Sequence, residues 1–176
     1  MKNKSLLISA LINLVLTNSV IAAEDNVHFS GALVSVPCTI PDEDKDIKLD
    51  FGSIIEKSLY QYERTKSIPF TIHLQDCEPS IMKLVSVTFQ GTADAELTDM
   101  LQLDTTSIAN GVAIGMEQNN GQPLKINDAS LPQNLLSGRN DLLFYSFIQA
   151  KPTAIAGKSI NSGTFSAFST FVLDYK

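Results

Sequence analysis

The last fourteen residues, Gly163–Lys176, read GTFSAFSTFVLDYK. Phe165, Ala167, Ser169, Phe171, Leu173 and Tyr175 share one parity, while Thr164, Ser166, Thr170 and Asp174 dominate the other. A period of two is the pattern of a half-buried β-strand, and the β-branched and aromatic content with no proline agrees with it. Nothing follows that could supply a neighbouring strand. An apolar strand at a sheet edge leaves a row of N–H and C=O groups that template another strand. The reading therefore predicts an edge that something outside the domain covers.

Spacing adds a resemblance. Tyr175 is penultimate, Gly163 is fourteenth from the end, and apolar residues alternate between them. This combination resembles the C-terminal motif of pilins assembled by the chaperone–usher pathway. The resemblance implies the edge of an incomplete immunoglobulin-like β-sandwich that lacks its last strand and is completed by donor-strand exchange. Gly163, Phe165, Ala167, Phe171, Leu173, Tyr175 and Lys176 would then form the acceptor groove and the surface gripped by a periplasmic chaperone. Without the resemblance, the stretch reads as the last strand of a complete sandwich.

At the other end, Lys2 and Lys4 precede an apolar run from Leu6 to Leu16, and small residues follow at Ala22 and Ala23. That order is a secretory signal peptide, residues 1–22, cleaved after Ala22 or Ala23. The rival reading is an uncleaved anchor, although the run falls short of the roughly 20 residues that span a bilayer. Removal takes away two of thirteen basic residues and none of nineteen acidic ones, which moves the net charge from −6 to −8. Such a chain is a poor ligand for nucleic acid. About 154 residues remain, enough for one domain. An exported chain with two cysteines, Cys38 and Cys77, predicts one disulfide, with free thiols or metal ligands as the alternative. The bridge would contribute on the order of 4 kcal/mol in the chain-entropy description.

The segment AEDNVHFSGALVSVPCTI follows the leader. Val27, Phe29, Gly31 and Leu33 share a parity, and a mid-strand glycine marks a bulge or close backbone approach. The central glycine followed by Pro-Cys-Thr-Ile resembles the donor strand and first cysteine of type 1 and P pilus subunits. The resemblance implies that residues 23–36 are a donor extension that inserts Val27, Phe29, Gly31 and Leu33 into a neighbour, ahead of a pilin domain at 37–176. Asp25 departs from the pattern, being charged at the same parity. An ordinary first strand of the same domain is the competing reading.

The interior alternates repeatedly. Asp46–Phe51, Ser67–Cys77, Leu84–Gln90 and Gly111–Gln118 read as strands. Asn119-Asn120-Gly121 predicts a turn with Leu124-Lys125-Ile126 returning beside its partner. Asp141–Lys151 is apolar on both parities, as a central strand would be. Glu56–Lys66 and Asp128–Asn140 read as loops, the first with a helical turn. Eight or nine short strands make an all-β sandwich.

Chemistry-bearing patterns fail on inspection. Asp42, Asp44 and Asp46 alternate like a calcium loop, but Ile47 and Ser53 replace the glycine and glutamate it needs, so a solvated turn is read. Gly157-Lys158-Ser159 ends like a phosphate loop, yet Pro152 stands where its first glycine belongs, so Pro152–Ser159 reads as a loop. His73 lies on the face opposite Ile72 and Leu74 and reads as a surface or network residue. No cofactor, metal site or enzymatic activity is predicted. The expected function is a structural fimbrial subunit that mediates cell adhesion as part of an extracellular pilus. Its partners would be a periplasmic chaperone, an outer-membrane usher and neighbouring subunits. The alternative is a free-standing secreted β-sandwich binding a small molecule or sugar.

Overall fold

The computed structural model describes residues 29–33 and 35–176. The leader and Val27 lie outside the described residues. Two units divide the chain, Met1–Leu33 and Val34–Lys176, and among the described residues all strands and helices belong to the second.

Alternating sequences become ladders where they find partners. Ile68–Cys77 forms β1, Leu84–Gln90 β2 and Val112–Gln118 β3. Gly121 takes a positive φ of 79°, which its lack of a side chain permits, and turns the chain into Pro123–Leu124, the short β4. Only Met116↔Leu124 and Glu117↔Pro123 pair, so the predicted return strand stops before Ile126. Gln133–Asn134 is β5, Gly138–Ala150 is β6 and Thr170–Tyr175 is β7. They make a four-stranded antiparallel sheet, β1-β6-β3-β4, and a three-stranded one, β5-β2-β7. β6 is central, as its two-sided apolar pattern requires, and it begins within the stretch read as a loop.

Aromatic rings join the sheets. Phe89 of β2 meets Phe70 of β1 at 5.6 Å and Phe144 of β6 at 5.1 Å between ring centroids, both edge to face. Ile72, Leu74, Val85, Val87 and Ile148 are fully buried around them. Each such side chain contributes roughly 1.5–3 kcal/mol through burial.

Five expectations need correction. Asp46–Phe51 keeps its alternation, with Ile47, Leu49 and Phe51 half-buried, but it is no strand, because no main-chain partner lies beside it among the described residues. Glu56–Tyr62 is a helix, α1, which buries Leu59. Pro152–Gly157 is a second, α2, rather than a loop. Proline at its first turn fits helix geometry, and Thr153 donates its N–H and hydroxyl to the Glu96 carboxylate at 2.8 and 2.5 Å. Asp42–Lys45 is a 3-10 turn in which Asp44 is buried, not solvated. Finally, the C-terminal stretch is a laddered strand only from Thr170 onward; Gly163–Ser169 makes irregular main-chain bonds.

Candidate functional site: a groove along the open sheet edge

Among the described residues β7 pairs with β2 alone, in the register Val85↔Tyr175 to Gln90↔Thr170. Leu84 and Lys176 exchange main-chain bonds at 2.8 and 2.9 Å, and antiparallel pairs alternate between bonded and non-bonded. The even-numbered residues of β7 are thus committed to β2. Phe171, Leu173 and Tyr175 direct their N–H and C=O groups to the free side.

The same parity continues upstream by different means. Thr164 accepts the N–H groups of Ile108 and Ala109 at 2.9 and 3.1 Å, and Ser166 accepts that of Asp104 at 2.7 Å. Segment 104–109 therefore covers the edge that β2 covers lower down. Phe165 and Ala167 have no main-chain partner among the described residues. Gly163 is required here, since a Cβ on it would stand 2.6 Å from Ile108 Cγ2.

Facing this edge is segment 45–54; from Asp46 on, its main-chain groups also lack partners outside the segment among the described residues. Between the two lies a groove of about 640 Å³. Its floor is Phe70, Phe89, Leu101, Ile114 and Met116, so it opens directly onto the sandwich core. Ile47, Leu49 and Phe51 line one wall; Phe165, Ala167 and Phe171 line the other. Phe51 and Phe165 approach to 6.2 Å between ring centroids. Phe165 also borders an adjoining cavity of about 430 Å³, lined by Gly52, Ile54, Leu59, Ile160 and Gly163 among others.

Chemically the groove suits an extended, apolar segment of chain. Charge is confined to its rim, where Lys48 Nζ lies 3.3 Å from Asp46. Burial raises the pKa of the Tyr175 phenol, keeping it neutral. Among the described residues, no three His, Cys, Asp or Glu side chains gather as metal ligands.

The residues singled out in the sequence fall as follows. Phe165, Ala167 and Phe171 line the groove, Gly163 borders the second cavity, and Leu173 and Tyr175 pack inward below. Lys176 ends the ladder, its main-chain oxygen accepting the N–H groups of Lys83 and Leu84 at 2.8 Å each. Cys38 and Cys77 are bonded. Phe29 and Leu33 are 94% and 104% exposed, and a Cβ at Gly31 would meet nothing within 4 Å. Sequence reading missed the floor, the 45–54 wall as a wall, and the covering segment 104–109. The inward alternation of Ile47, Leu49 and Phe51 was the signal for the wall; residues 104–109 carry no such period.

Residues 27–176 match the family described as Fimbrial protein. The chain is 32% identical over 171 residues to the uncharacterized fimbrial-like protein YfcP of Escherichia coli K12, covering 96% of this chain and 93% of that one. It is 31% identical to the Fimbria A protein of Serratia marcescens, covering 92% and 90%. The fold resembles the P pilus rod subunit PapA, with a TM-score of 0.68, 22% identity, and coverage of 80% of this chain and 100% of that one. A subunit in a chaperone–usher pilus structure also scores 0.68, at 23% identity, covering 88% and 96%. An all-β sandwich with an open edge, and these relatives over nearly its whole length, place the chain in the fimbrial protein family as a structural subunit of a surface pilus.

Proposed function

We propose that the groove is an acceptor for one extended strand of another polypeptide. A periplasmic chaperone supplies that strand during export, and the N-terminal extension of the next subunit supplies it in the fibre. The observation that carries this reading is the pair of main-chain edges without partners among the described residues, the odd-numbered residues of Phe165–Tyr175 and segment 46–54, flanking an apolar floor. Main-chain bonds to the edges provide affinity, and alternate side chains reaching the floor provide specificity.

Residues 23–36 are the donor in this reading, released when the signal peptide at 1–22 is removed. Val27, Phe29 and Leu33 present apolar side chains at one parity, and Gly31 between them allows close backbone approach. The exposure of Phe29 and Leu33 supports it, since a large apolar side chain left fully in water has a burial to gain. An outer-membrane usher would exchange one strand for the other without a nucleotide, the better-fitting donor replacing the poorer. Adhesion follows from membership of the assembled fibre.

The test compares thermal melts of the exported chain and of the same chain carrying a second copy of residues 23–36 after Lys176, joined by a flexible linker. An upward shift of ten degrees or more, abolished by tryptophan at the fused copy's glycine, is expected on the order of several kcal/mol of added burial. Equal melts from two stable monomers would overturn the reading and favour the free-standing binding module.

A further inference from the structure

The groove's two walls are held very differently. Phe165–Lys176 is fixed along its covered edge by β2 and segment 104–109. The opposite wall has no ladder, and from Pro41 to Ile54 one polar attachment to another element exists among the described residues. That attachment is Asp44. One oxygen, Oδ2, accepts the main-chain N–H of His73 and lies 2.8 Å from its Nδ1. Asp44 stands in the 3-10 turn that leads into the wall, and His73 stands on β1, whose ladder with β6 is continuous there. Arg139 and Asp141 of β6 lie on the same side, Asp141 being the cross-strand partner of His73. Everything else that holds the wall is packing by Ile47, Phe51 and Ile54.

We infer that Asp44 and His73 are positioning residues: they clasp the start of the unladdered wall to the sheet and so set how tightly a strand in the groove is held. This inference rests on the reading of the groove as a strand acceptor. A buried carboxylate is costly unless bonded, so the turn cannot swing off β1 without exposing Asp44 and giving up both contacts. Loosening this clasp frees the wall while leaving the core, which it does not enter, intact.

The test uses the exported chain labelled with fluorophenylalanine. Phe51 reports the wall, Phe144 reports the core and the exposed Phe29 gives the solvent reference. Asp44→Ala is expected to move the Phe51 fluorine resonance toward that of Phe29 and to leave Phe144 in place. A fluorescent peptide with the sequence of residues 23–36 should leave the groove roughly tenfold faster, the scale of a lost bond to a charged group. Asp44→Asn, which keeps an oxygen for the His73 N–H, should fall between the two. A stationary Phe51 resonance in Asp44→Ala, or an equal movement of Phe144, would overturn the clasp. Failure of the peptide to bind the unsubstituted chain would instead overturn the acceptor reading, with Phe51 still deciding the clasp.

Discussion

Leu84 and Lys176 form a reciprocal main-chain pair, N–H to carbonyl in both directions at 2.8 and 2.9 Å, and Lys83 adds a third bond to the same Lys176 oxygen. The chain terminus is thereby the last rung of the β2–β7 ladder. Deleting Tyr175 and Lys176 removes that rung and the half-buried Tyr175 ring. The truncated chain is expected to melt several degrees lower and to accumulate poorly in the periplasm, where the acceptor reading needs this edge for capture. Yield equal to the full chain would contradict it.

On the donor reading, Gly31→Trp separates donation from folding. A Cβ at Gly31 meets nothing within 4 Å among the described residues, so the substitution should leave the melt unchanged within a degree or two. It should block polymer formation, because a bulky side chain cannot enter a groove where backbone must approach closely. Electron microscopy of the exported protein reads the outcome directly; normal fibres would remove Gly31 from the donor.

Gly115 illustrates the opposite constraint. A Cβ there would stand 2.2 Å from Phe147 Cζ, and the Phe147 ring is held under the Arg64 guanidinium at 3.4 Å. Gly115→Ala is expected to cost about 1–3 kcal/mol, the range for overpacking. Chemical denaturation measures it, and an unchanged midpoint would show that Phe147 can move aside.

Acid should weaken the sandwich through two carboxylates. For Asp94, burial is the largest influence and pushes the pKa up, but the Lys151 ammonium at 2.5 Å and the N–H groups of Leu97 and Glu96 outweigh it, leaving it below the usual 3.8. Glu117 behaves likewise: burial raises it, while Arg64 at 2.9 Å and Ser67 bring it below 4.5. A folded pKa below the unfolded one means stability that is present above the unfolded value and lost as pH falls through the folded value. The melting temperature should hold from neutrality to about pH 5 and drop below about pH 4. Asp94→Asn should lower the stability at neutral pH by on the order of 3 kcal/mol, since Lys151 loses its charged partner, and flatten the acid drop.

Much of the fold is legible because period-two alternation is a local property: β1, β2, β3 and β6 need only their own side chains to declare themselves. The terminal edge is legible for the same reason, through Phe171, Leu173 and Tyr175. What alternation cannot report is whether a neighbour exists. Ile47, Leu49 and Phe51 have the pattern of a strand and no ladder, because pairing depends on a second segment. α2 was hidden because its six residues are too short for a helical period, and its cap comes from Glu96, far away in the chain. Asp44 read as solvated because a charged turn hides its one inward residue until His73 is beside it.

The bond between Cys38 and Cys77 closes a stretch separated by 39 positions, and the two residues that anchor the unladdered wall, Asp44 and His73, lie within it. A pull on the chain ahead of Cys38 passes through the sulfur atoms to Cys77, along residues 78–83 into β2, and across the ladder to β7. The enclosed stretch, with the loosely held wall and α1, is bypassed. On the acceptor reading, in a filament under tension the bridge makes the subunit mechanically shorter than its sequence, keeping strain off the side of the groove that has no ladder among the described residues to resist it.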